Sequence, residues 1–242
     1  MRYELYYWPS IQGRGEFVRL ALEEAGADYI DVAREQGPGM GMAAMTAMMA
    51  SDKLVTPPFA PPFLKAGELV IGQTANILLF LAPRIGLVPE DETSRLWAHQ
   101  LQLTVADFIG EVHDTHHPIA SGLYYEDQKP EALRRAADFT SERMPKFLAY
   151  FERVLERNPH GDAHMVGAAL SYVDLSMFQI IAGLSYAFPR TMKRQSSAFP
   201  RLMALHQRIA GRPRIAAYLA SPRRLPFSQE GIFRHYKALD AT

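Results

Sequence analysis

The chain has no cysteine. That excludes disulfides, cysteine–zinc sites, a cysteine nucleophile and redox chemistry on the protein's own thiol. Thiol chemistry here requires a thiol carried in by a ligand. Long apolar runs are also missing: none approaches the roughly 20 residues of a membrane span. The chain has no excess of either charge, with 26 basic and 26 acidic residues. No global field then favours nucleic acid or a membrane surface, and neither is expected as a partner. The first residues are strand-like and show no signal-peptide pattern, so a cytoplasmic location is expected. Internal repeats are not visible.

What remains is an ordinary globular composition: 242 residues, 48% hydrophobic and 21% charged, enough for two domains. Residues 2–8 are aromatic and apolar and read as a first strand. A turn at 9–13 leads into a helix over 14–25, with Phe17, Leu20, Ala21 and Leu22 on its apolar face and Gly26 as its stop. Residues 29–32 read as a second short strand, and this β-α-β start suits a parallel crossover. The methionine-rich stretch 37–49 reads as a flexible lobe with a soft apolar face, or else as a mobile wall of a ligand pocket. Pro83 to Asp91 carries prolines and a glycine and reads as a linker. Beyond it helical periodicity takes over. Leu101, Val105, Phe108 and Val112 mark one helix, and Met144, Phe147, Leu148, Phe151 and Leu155 another. Pro130, Pro200 and Pro213 sit where helices open. Ser171 and Asp174 form a capping box ahead of Leu175, Phe178 and Ile181.

One stretch organises the rest: residues 61–77. Pro62 follows a proline and can be cis. Phe63–Lys65 and Leu69–Ile71 flank Ala66-Gly67 as a hairpin. Gly72 ends the second strand, and Thr74 is placed to cap the apolar helix that follows. A helix N-terminus attracts a carboxylate, and Gln73-Thr74 could orient one. This order resembles the thioredoxin-like domain of glutathione transferases. In that family the cis-proline loop holds the cysteinyl backbone of glutathione and the Gln-Ser/Thr pair holds its γ-glutamyl carboxylate. Tyr7-Trp8 followed by Gly13-Arg14-Gly15-Glu16 resembles the Tyr-aromatic…Gly-Arg-x-Glu pattern of the tyrosine-type classes (alpha, mu, pi and sigma). The Ser171–Asp174 box resembles the family's helix-capping motif, whose role is folding. The resemblance spans nearly the whole chain. It implies an α/β thioredoxin-like N-terminal domain over 1–85 and an all-α C-terminal bundle over 93–242.

Glutathione brings the missing thiol, as a substrate and not a cofactor; no cofactor or metal is expected. A free thiol has a pKa of about 8.5, so an enzyme must stabilise the thiolate with donors or positive charge. The resemblance makes Tyr7 the thiolate donor, with Tyr6 as the alternative, because successive strand residues face opposite ways. The plainer reading makes both core aromatics. Arg14 would add positive field near the sulfur or the γ-glutamyl end; otherwise it is a surface arginine. Lys53, nine residues before Pro62, matches a lysine that pairs with the glycine carboxylate in several tyrosine-type classes. Asp107 matches an aspartate that reaches the neighbouring subunit's glutathione, which implies a homodimer; its plainer reading is a solvated acid.

His113 and His117 share a helix face, and His116 lies between them. A metal reading lacks an evident third ligand. The resemblance puts His113, His117 and Trp8 near the pocket for a small, largely apolar electrophile; the plainer reading has these histidines facing solvent. Three features depart from the family. Gln12 replaces an arginine, in a turn one residue longer. Pro61 lacks the N–H that would bond the cysteinyl backbone. The methionine-rich stretch has no tryptophan. The implied activity is glutathione conjugation, with an isomerase, a peroxide reductase or a non-catalytic binding protein on the same scaffold as alternatives.

Overall fold

The computed structural model describes residues 1–240; the last two residues expected in the helical half, 241 and 242, lie outside them. The N-terminal part is a four-stranded sheet with helices on both faces. Its elements are β1 (Tyr3–Tyr6), α1 (Gly15–Ala25), β2 (Tyr29–Asp31), α2 (Gly41–Met49), β3 (Phe63–Ala66), β4 (Leu69–Gly72) and α3 (Thr74–Leu81). Strand order is β2-β1-β3-β4, parallel for β1–β2 and antiparallel for the other two pairs.

Period-two alternation assigns the strand residues to faces. Tyr3 and Leu5 pack with Val18 and Leu22 of α1 and Ile77 and Leu81 of α3. Tyr6 points the other way, into a cluster with Val32, Phe63 and Met45. That cluster corrects the expectation for 37–49. The methionines form a helix, α2, that covers the outer face of the sheet through Met45, which has no solvent exposure. Unbranched methionine suits a helix against an irregular surface. Gly26 stops α1 in the left-handed conformation at φ 62°, as a glycine C-cap does.

The helical half comprises α4 (Glu92–Asp114), α5 (Lys129–Asp138), α6 (Met144–Glu156), α7 (Tyr172–Ala187), α8 (Pro189–Gln195), α9 (Pro200–Ala210) and α10 (Pro213–Leu219). Asp91, read as linker, is the N-cap of α4 and accepts the Ser94 N–H at 2.8 Å. Helix α7 is buried almost all round and packs against α1, α4 and α9, which makes it the axis of the bundle. Its capping box is complete. Buried Asp174 accepts the main-chain N–H groups of Ser171 and Met165, each at 2.7 Å, and the Ser171 hydroxyl at 2.8 Å.

The tail after α10 runs back over both halves. Phe233 lies where a Cβ on Gly183 of α7 would be, so only glycine lets the tail cross that helix there. No described helix is long and apolar enough to cross a membrane.

Candidate functional site

The sheet ladder builds the site. Tyr6 pairs with Phe63, and Phe63 pairs with Gly72. One step further along the three strands stand Tyr7, Pro62 and Gln73. Residues far apart in sequence therefore share one end of the sheet. The Pro61–Pro62 peptide is cis, and Gln73 has φ 68°, a left-handed conformation unusual for a side-chain-bearing residue. Gln73 takes the N-cap position of α3 and Thr74 is its first residue. The expected Thr74 cap is thus corrected: the Thr74 hydroxyl instead lies 3.5 Å from the Arg14 carbonyl. That contact ties the α3 N-terminus to the start of α1.

Tyr7 sits under that start. Its hydroxyl accepts the Arg14 main-chain N–H at 2.8 Å, which leaves its own proton free to donate. The ring lies against Gly13 and Gly15, where any Cβ would collide with it. Burial raises the Tyr7 pKa, while the Arg14 N–H and the charges of Arg14 and Arg19 oppose the rise; the net direction is upward. A tyrosine held protonated is a competent donor to an anionic sulfur. Tyr6 is occupied elsewhere: its hydroxyl donates to Glu4 at 2.8 Å and its ring stacks on Phe63 at 4.6 Å. The two tyrosines diverge because β1 alternates.

Arg14 is exposed at the mouth of this cluster, and Trp8 is 38% exposed. Lys53 and Asp107 are not brought into it. Lys53 is exposed in the loop before β3, and Asp107 lies on the exposed face of α4. The histidines differ from the solvent-facing expectation. His116 is 1% exposed, and His113 and His117 are half-buried, with their rings stacked at 4.8 Å. They are packed because the C-terminal tail covers this end of α4, through Ile232 and Tyr236. Among the described residues no group of three or more His, Cys, Asp or Glu is arranged to hold a metal ion.

Behind Tyr7 lies a buried polar network whose partners the sequence does not reveal. Glu16, with no solvent exposure, accepts from the Tyr218 hydroxyl at 2.6 Å, from Arg19 at 3.3 Å and from Arg224. Arg19 is held by Asp31 at 2.6 Å, with its guanidinium 5.6 Å from the Tyr7 ring centroid. Gln12 bonds the Leu225 carbonyl and accepts from Gln179 of α7 at 2.8 Å. The local signal is the run of Glu16, Arg19 and Glu23 along one face of α1, spaced three and four apart.

Residues 113–222 match the family model described as glutathione S-transferase, C-terminal domain. The chain is 25% identical to a glutathione S-transferase of Plasmodium falciparum over 90% of its own length and 94% of the relative's. It is 27% identical to glutathione S-transferase P of Bos taurus, over 91% and 92% of the two chains. Among solved structures, the Pi-class glutathione S-transferase of Onchocerca volvulus superposes with a TM-score of 0.71, at 23% identity, covering 96% of this chain and 99% of that one. With the rung of Tyr7, cis-Pro62 and Gln73 at one end of the sheet, the chain is similar to glutathione S-transferases nearly end to end and shares their fold.

Proposed function

We propose that the protein is a glutathione transferase that adds the glutathione sulfur to an electrophilic carbon of a small, largely apolar compound. The observation that carries this reading is the Tyr7 hydroxyl, anchored by the Arg14 N–H with its own proton free. Glutathione lies with its cysteinyl main chain along Pro61–Pro62 and its γ-glutamyl carboxylate at Gln73, Thr74 and the free N–H groups of α3. The thiol loses its proton to solvent. The thiolate accepts a hydrogen bond from Tyr7 and feels the charge of Arg14, both of which favour the ionised form. It attacks the carbon, an S–C bond forms, and the leaving group departs or the double bond takes up a proton. Holding the reactants side by side supplies the remaining acceleration.

Lys53 is proposed for the glycine carboxylate. Asp107 is proposed to reach the neighbouring subunit's glutathione in a homodimer. Leu96 and Leu103 are exposed at 63% and 48%, and with Asp107 they share a face of α4 by their spacing. Sedimentation at twice 27.2 kDa is the expected result, and a monomer at micromolar concentration would remove Asp107 from the site. A cytoplasmic location belongs to the same reading.

Pro61, which has no N–H to offer, favours a second reading as a non-catalytic binder. The ultraviolet thiolate absorbance of bound glutathione against pH separates the two. A bound thiol pKa clearly below the free value, restored in Tyr7→Phe, supports the transferase and its donor. Glutathione bound with an unshifted thiol turns the assignment to the binding protein.

A further inference from the structure

Two glutamines and an arginine form a one-way chain of hydrogen bonds where the two halves of the protein meet. Arg224 of the tail donates to the Gln179 Oε1 at 2.9 Å. The Gln179 Nε2 donates to the Gln12 Oε1 at 2.8 Å, and the Gln12 Nε2 donates to the Leu225 carbonyl. A guanidinium only donates and a carbonyl only accepts, so the two ends fix the orientation of both amides. The chain leaves the tail at Arg224 and returns to it one residue later. Gln12 and Gln179 are buried, at 5% and 0% exposure, so a broken link would strand a polar group away from water. The gap lined by Gln12, Gly13 and Phe227 is about 10 Å³ and has no room for a string of waters to replace an amide.

Gln12 is also the residue from which α1 starts. Its carbonyl accepts the Glu16 N–H at 3.0 Å and the Arg19 guanidinium at 3.3 Å. The next two residues hold the Tyr7 hydroxyl. Gly13 has φ 46°, and a Cβ there would lie 2.0 Å from that oxygen. The Arg14 N–H donates to it at 2.8 Å. We propose that Gln12 is a positioning residue for the thiol chemistry: its amide, gripped between Gln179 and Leu225, sets the turn that aims the Tyr7 hydroxyl. The proposal rests on the transferase reading for its role in the reaction, and on these contacts alone for the aim of Tyr7. The arginine that the resemblance expects at this position could only donate, so Gln179 would have to turn its oxygen away from Arg224 to meet it. Glutamine keeps the chain running in one direction.

Amide ¹H–¹⁵N spectra of the unliganded, arginine-labelled protein read the Arg14 N–H, with Tyr7→Phe supplying the assignment. Gln12→Met keeps the length of the side chain and removes both of its bonds. The Arg14 amide proton should then move toward its position in Tyr7→Phe. Gln179→Met breaks the chain one step away, should move it in the same direction, and decides the matter where Gln12→Met does not fold. An Arg14 resonance that stays in place in a folded variant of either kind overturns the proposal. For the reaction, the thiolate absorbance of bound glutathione against pH is measured in a double-mutant cycle with Tyr7→Phe. Gln12→Met alone should cut the ionised fraction at pH 6.5 roughly two- to tenfold, the size of one hydrogen bond, and leave glutathione affinity unchanged. In the Tyr7→Phe background it should have no effect on the thiol. Equal effects in the two backgrounds mean that Gln12 does not act through Tyr7 and overturn the proposal. A wild-type thiol with no downward shift instead overturns the transferase reading and, with it, the reaction role of Gln12.

Discussion

The Tyr7 hydroxyl accepts the main-chain N–H of Arg14 at 2.8 Å, so the first turn of α1 fixes the direction in which the phenol donates. A Tyr7→Phe substitution removes that donor and leaves the ring's packing in place. We expect the bound thiol pKa to rise and conjugation at neutral pH to fall about ten- to a hundredfold, the worth of a hydrogen bond to a charged group. Stability should change little. Steady-state rates at pH 6.5 and pH 9 check this, since the deficit should shrink in alkali.

Gly15 tests the placement of the same ring. A Cβ there would lie 2.5 Å from the Tyr7 ring, and no positive φ complicates the change. Gly15→Ala should cost about 1–3 kcal/mol in urea unfolding through overpacking. It should also lower kcat/KM through a displaced Tyr7. Wild-type values of both would mean that the ring has room to move.

Glu16 anchors the C-terminal strap to α1. Removing the charge with Glu16→Ala leaves half-buried Arg224 and the buried Tyr218 hydroxyl without their carboxylate. A loss of about 3–5 kcal/mol is expected. Limited proteolysis should then cut first within 220–236, where the strap has lost its hold; unchanged cleavage would argue against that anchoring.

Acid should loosen the α4 end. The folded pKa of His116, about 3, lies below the ordinary value near 6.5 in the unfolded chain. The unfolded state therefore binds the proton first. The contribution is fully present above pH 6.5 and is lost as pH falls toward 3. At pH 5 the loss is about 2 kcal/mol from this residue, at about 1.4 kcal/mol per pH unit. Urea midpoints between pH 7 and pH 5 should fall in the wild type and flatten in His116→Gln.

Pro61 is expected to weaken glutathione binding by one missing N–H. Pro61→Ala restores that donor and should tighten the dissociation constant roughly two- to tenfold. Titration calorimetry gives the answer, and an unchanged constant would mean that the N–H at this position is not used.

The sequence by itself determined whatever acts within a few residues. The hairpin around Gly67, the Gly26 stop, the Ser171–Asp174 box and the buried face of Leu101, Val105, Phe108 and Val112 all follow from local geometry and periodicity. It also carried the order of Tyr7, Arg14, Pro62, Gln73 and Thr74 on which the resemblance to glutathione transferases rests. Local patterns fared worse where tertiary packing wins over propensity, as in α2 and in short α8. Only the tertiary structure decided which tyrosine faces α1, because a strand's alternation fixes opposite faces but not which one is covered. Only it paired Glu16 with Arg224, 208 residues away. Only it set the Ile232 carbonyl on His116. Partners of that kind depend on where the folded chain returns, and no neighbouring residue records the path.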